Sequence, residues 1–244
     1  MKRIHKEILS GSIALLILVG GLVFLLGGWE RPVSSRQTLP AAFKRPALAV
    51  SQPDVMVQLF TDYTDPQAAL VVAQVLSPQF SVPDSTYIEL RDAGSKPGTL
   101  ARLAAMAVLA AQVQDRGVPM ARLLAENSGA LEPARVLSLA QLAGLDMQQF
   151  KRDLDHPDLN QKVEFDTITL TGEGDLAGLI AYVNGVRLVN PTAESLAGAI
   201  ADQHALVAEY IEAGGEPEDA RESLMFKNGA PRAIIDLVKL TLEE

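Results

Sequence analysis

The sequence predicts an α/β domain built on one small sheet that carries a helical insertion. Three observations predict it. An apolar run, VMVQLF (55–60), leads through a polar turn into a helical stretch and then a second strand pattern. A block over about 99–174 is rich in Ala and Leu, with helical spacing and glycine punctuation. Two β-forming runs then flank Asn184 and Gly185, and Asn-Gly between such runs is the strongest short-range hairpin signal.

Taken in order, residues 1–29 read as a transmembrane signal-anchor. MKRIHKE carries Lys2, Arg3 and Lys6, and residues 8–28 contain no charged side chain. A bilayer core needs about 20 apolar residues in a helix, so this stretch is long enough to span. The basic flank is expected to stay cytoplasmic, with Trp29 at the interface and the rest of the chain outside the inner membrane. A cleaved signal peptide is the alternative, but LLGGWERPV is a poor cleavage site. Residues 30–53 hold four prolines and no sustained period, the composition of a linker.

The folded domain is expected over 54–205. Its first strand, 55–60, is apolar apart from Gln58 and reads as buried. A largely buried helix follows over 65–80, and STYIEL (85–90) alternates as a strand does. Within the insertion, a helix over 99–117 stops at Gly117, and helices over 118–129 and 131–144 are each closed by glycine. One or two more fill 145–174, the first capped by Asp146. Strands at 179–183 and 186–189 make the hairpin, and a helix opening near Pro191 and Thr192 runs to about 215. Residues 206–244 form a C-terminal extension with two short helices, one stopped by Asn228 and Gly229, the next started by Pro231. Their apolar face, which includes Leu224, Ile235 and Leu237, is expected to pack on its own domain; a docking or dimerisation face is the alternative.

The chain has 244 residues, a formal charge of −9, three histidines and no cysteine. The acidic balance argues against nucleic acid as a partner. Without cysteine there is no disulfide, thiolate nucleophile or thiolate metal ligand. His5, His156 and His204 are too far apart for a ligand motif, and no phosphate-binding loop or G-x-S-x-G motif occurs. The sequence therefore offers no catalytic, cofactor-binding or metal-binding residue.

The order of elements and their residues resembles the DsbA-type branch of the thioredoxin fold. In that family a strand leads into F-x-D-Y-x-C-P-x-C, which opens the first helix. LFTDYTDP supplies Phe60, Asp62, Tyr63 and Pro66, with Asp65 at the first cysteine position and Ala68 at the second. An L-A-x-x-x-G-L-D-x-x-x-F pattern of the family's insertion is matched by Leu139, Ala140, Gly144, Leu145, Asp146 and Phe150. The family's T-P-T-F-x-V-N-G stretch, a cis-proline loop before the hairpin, is matched by Val183, Asn184 and Gly185; Gly178 replaces the threonine and Leu179 the proline. The resemblance covers about residues 54–205.

The resemblance implies a thiol-disulfide enzyme, and the departures remove its chemistry. Asp65 before Pro66 is a favourable helix start but no nucleophile, and Ala68 cannot resolve a disulfide. A non-proline cis bond costs about 3 kcal/mol, so the peptide before Leu179 is expected to be trans. Asp62 and Asp65 are expected to serve the turn and the cap rather than acid–base catalysis. The expectation is a redox-inactive module of the bacterial envelope that binds a protein or extended peptide, with a groove at Asp62, Tyr63, Asp65, Pro66, Gln67, Ala68, Gly178 and Leu179. The alternatives are a family enzyme acting with a partner's thiols, and a structural subunit of an envelope complex. The sequence does not fix the oligomeric state.

Overall fold

In the computed structural model, residues 45–48, 53–93, 95–172 and 178–243 are described. The predicted signal-anchor and most of the linker lie outside them, and no helix among the described residues is long and apolar enough to cross a membrane. The sheet contains β1 (Ala47–Leu48), β2 (Val55–Thr61), β3 (Thr86–Asp92), β4 (Ile180–Val183) and β5 (Val186–Val189). Around it lie α1 (Pro66–Val75), α2 (Leu100–Gln112), α3 (Gly117–Glu126), α4 (Pro133–Leu142), α5 (Met147–Leu154) and α6 (Pro157–Gly172). The chain then continues through α7 (Ala193–Glu212), α8 (Pro217–Lys227) and α9 (Arg232–Glu243).

The strand order is β1-β3-β2-β4-β5. β2 and β3 run parallel, from Val55 opposite Thr86 to Thr61 opposite Asp92, joined through α1. β4 lies antiparallel to β2 on its other side, and β5 folds back on β4 through the Asn184–Gly185 turn. The predicted hairpin is thus in place, its two turn residues both at positive φ, as that turn requires.

Helices cover both faces of the sheet. Val55, Val57 and Leu59 point into one core with Ala69, Val72 and Leu196. Met56 and Phe60 point into a second with Tyr182, Leu170 and, from α9, Ile234 and Leu237. A strand buried on both sides shows no polar alternation, which is why VMVQLF reads as a continuous apolar run. Phe60 and Tyr182 meet edge to face at 6.2 Å between ring centroids.

Three expectations need correction. First, the sheet begins inside the segment read as linker: Arg45 is buried, and Ala47–Leu48 pairs antiparallel with β3. Pro46 accepts a hydrogen bond from the Leu90 amide at 3.0 Å, so the proline sits where no donor is demanded of it. Second, α1 ends at Val75 rather than residue 80, because Pro78 cannot continue the helical hydrogen bonds and the chain turns, Phe80 donating to the Ser77 carbonyl. Third, α2 ends at Gln112; Asp115 takes φ 56° and Arg116 donates back to the Ala111 carbonyl at 2.9 Å. Gly117 therefore opens α3 instead of closing α2, and a Cβ there would lie 2.7 Å from that of Pro46. The helix expected to run to about residue 215 is α7, which crosses residue 205 unbroken, so the extension is continuous with the domain.

The extension packs on its own sheet, as expected. It meets the hairpin turn through a buried asparagine bracket. The Asn184 side chain accepts from the Met56 amide (2.9 Å) and donates to the Asp54 carbonyl (3.1 Å). Asn228, at the end of α8, donates to the Asn184 carbonyl (2.9 Å) and to Gln203 of α7 (3.0 Å). A Cβ on Gly185 would lie 2.5 Å from that of Ala230. The hairpin and the C-terminal helices thus fix each other's position.

A buried ionic cluster joins the first strand to α6. Asp166 receives Arg45 at 2.7 Å, Arg91 at 3.0 Å and the Asp92 amide at 3.1 Å. Arg91 also pairs with Glu89, and Arg45 donates to the Lys162 carbonyl at 3.0 Å. Charges this deeply buried persist only when paired, so the cluster specifies the register of β1, β3 and α6.

Candidate functional site

The turn after β2 is built from its own aspartates. Asp62 Oδ1 accepts from the Thr64 amide at 2.7 Å and from its hydroxyl at 2.6 Å, and the Asp65 amide donates to the Asp62 carbonyl at 3.1 Å. Asp65 then caps α1: its Oδ1 accepts from the amides of Gln67 (2.8 Å) and Ala68 (3.0 Å), with Pro66 at the first helical position. Both bonds use one oxygen, so the cap does not involve Oδ2. The two carboxylates thus hold the turn and the helix start, with no acid–base pair between them.

Opposite the start of α1 lies the segment before β4. The peptide between Gly178 and Leu179 is trans, since no cis bond occurs among the described residues. What holds it is Asn190, just beyond β5. The Leu179 amide donates to Asn190 Oδ1 at 3.0 Å, and the Asn190 amide donates to the Leu179 carbonyl at 2.7 Å. Both backbone polar groups of Leu179 are therefore satisfied within the chain. Asn190 adopts φ 48°, a left-handed conformation that asparagine tolerates better than most residues. Gly178, at φ 86°, is required twice: by its backbone, and because a Cβ there would collide with Asn190 Oδ1. The Leu179 side chain is buried in the larger core.

A groove of about 410 Å³ runs between these two segments. From the helix side it is lined by Asp65, Gln67, Ala68 and Val71; from the other by Gly178, Leu179, Asn190, Pro191 and Thr192. Thr192 caps α7, accepting from the Ser195 amide at 3.1 Å, so two helix N-termini meet at the groove. Asp65 is its one charged lining residue among the described residues.

Of the predicted groove positions, Asp65, Gln67, Ala68, Gly178 and Leu179 line it. Asp62, Tyr63 and Pro66 do not. Asp62 is occupied within the turn and Pro66 faces solvent. Tyr63 points inward, 3% exposed, where burial and then the charge of Asp92 hold its phenol above the usual tyrosine range. Val71, Asn190, Pro191 and Thr192 are the lining positions that sequence reasoning missed. An asparagine closing a strand and followed by proline is a turn signal, and it gave no sign of reaching back to residue 179. A larger concavity of about 910 Å³ lies within the helical insertion, with Leu103, Met106 and Leu137 among its lining residues. It contains none of the positions that match the family's reactive site.

No protein-family model and no curated protein matches the chain. Solved structures do. A thioredoxin-like oxidoreductase from Silicibacter pomeroyi is 21% identical, with 70% of this chain covering 99% of that one and a TM-score of 0.55. The thiol-disulfide exchange protein alpha-DsbA2 from Wolbachia pipientis is 13% identical over 65% of this chain and 86% of that one, with a TM-score of 0.58. Oxidised BdbD from Bacillus subtilis is 21% identical over 65% and 92%, with a TM-score of 0.55. The chain thus has the thioredoxin-like fold of the DsbA-type oxidoreductases, carried by a sequence without cysteine.

Proposed function

We propose that the chain is a membrane-tethered binding module of the bacterial cell envelope, inactive in thiol exchange, whose groove between Asp65 and Leu179 holds a protein segment or peptide. The observation that carries this reading is the fate of the reactive corner. Where a nucleophile would open α1 stands a carboxylate engaged as a cap, and where a second sulfur would resolve stands a buried alanine. The groove beside them nevertheless remains open, with an apolar floor formed by Val71 above the buried Ala68 and Leu179. The tether rests on the uncharged stretch 8–28 behind its basic flank.

The test uses the full chain in its membrane, with a photo-crosslinking residue at Gln67 and, as a control, at Leu142, an exposed residue of α4. Adducts at 67 that disappear with Val71→Glu, and none at 142, support the groove. Equal labelling at both sites, or none at 67, refutes it.

A further inference from the structure

The geometry points to a specific ligand class, an inference that rests on the binding reading above: a basic peptide segment recognised by its side chains, with a Lys or Arg at Asp65 and a neighbouring apolar side chain against the partly exposed Val71. Two observations carry it.

The first is the closed backbone at residue 179. An extended ligand held by strand addition needs a free N–H and C=O on the receiving chain. At Leu179 both belong to Asn190, at 3.0 and 2.7 Å. Pairing with a ligand's backbone there would require Asn190 to leave, vacating its left-handed conformation and uncovering Gly178. Recognition at this wall therefore falls to side chains.

The second is charge. No Lys or Arg lines the groove among the described residues, and the cap uses only Oδ1 of Asp65. Exposed Glu194 lies in the first turn of α7, beside Thr192. Each helix start contributes about half a positive charge. Among the described residues, the carboxylates of Asp65 in the lining and Glu194 in the first turn of α7 exceed the partial charges of the two helix starts. A cation placed there gains a charge-assisted hydrogen bond next to an apolar floor, where its aliphatic stem also packs.

The experiment measures binding of short acetylated, amidated peptides with a central Leu-Lys-Leu to the full chain in detergent micelles. The comparison peptides carry norleucine for lysine, or an N-methylated backbone at the central residues. Asp65→Asn is the diagnostic variant, because asparagine caps a helix as well as aspartate and removes only the charge. The lysine peptide is expected to bind about fivefold or more tightly than the norleucine peptide. That preference should vanish in Asp65→Asn at an unchanged melting temperature, and N-methylation should have little effect. Equal affinity for the two peptides, or loss of binding on N-methylation, overturns this inference and leaves the groove as a binding site of another kind. If no peptide binds at all, the binding reading fails with it.

Discussion

Replacing Asp92 with asparagine is expected to remove a pH dependence of stability that the wild-type chain carries. Asp92 ends β3, is 6% exposed, and accepts from the Ser95 amide at 2.8 Å and hydroxyl at 2.9 Å through Oδ2. Burial is the main cause that lifts its carboxyl from 3.8 to about 6; the Ser95 amide opposes this, the charge of Asp166 adds to it, and Arg102 offsets part. Below pH 3.8 the group is protonated in folded and unfolded chains alike. As pH rises, the unfolded chain releases the proton first, so stability falls, and the fall is complete once the folded group has ionised above about pH 6. At about 1.4 kcal/mol per unit of pKa difference, the loss is on the order of 3 kcal/mol. Urea unfolding followed by circular dichroism at steps from about pH 3 to 8, on both proteins, isolates this group from all others. The difference between Asp92→Asn and wild type should rise toward the variant across that window. A difference that stays flat, or that shifts toward wild type as pH rises, refutes the reasoning.

Four further outcomes follow from the same contacts. Gln58→Leu should stabilise the chain by about 1 kcal/mol in urea unfolding, because the Gln58 amide is fully buried in the sheet with no hydrogen-bond partner. Asp166→Asn should destabilise by about 3–5 kcal/mol, since it leaves Arg45 and Arg91 facing a neutral group in the interior. Leu237→Ala, in the core formed by α9 and the sheet, should lower stability by about 2–5 kcal/mol, whereas the same change at exposed Leu142 should be near neutral. An insulin-reduction assay on the full chain should match a buffer blank, because no position in the chain supplies a sulfur nucleophile.

The parts legible in the sequence are those fixed by local rules. Asp65-Pro66 and Asp146 announce helix starts because an N-cap is a nearest-neighbour interaction, and both side chains accept the amide bonds expected of them. Asn184-Gly185 announces the hairpin for the same reason. The parts that stayed hidden depend on partners far along the chain. Nothing around Ala47 says that it pairs with Glu89, or that Arg45 reaches Asp166 across 121 positions. Asn190 clasps Leu179 over 11 residues, and Tyr63 is buried in the larger core formed by distant segments. The helix cap is thus legible from local rules, and Gly178 and Leu179 from the family resemblance, whereas the Asn190 clip, a tertiary contact, is not.

Amide hydrogen exchange at Leu179, with and without a Leu-Lys-Leu peptide bound, tests most directly whether this corner of the fold is closed by the chain itself. The account predicts that the Leu179 amide is already protected in the free protein, loses that protection in Asn190→Ala, and is unchanged by the peptide, whose added protection falls at Gln67 to Val71. An amide that exchanges freely in the unbound chain and becomes protected only when the peptide binds would contradict it.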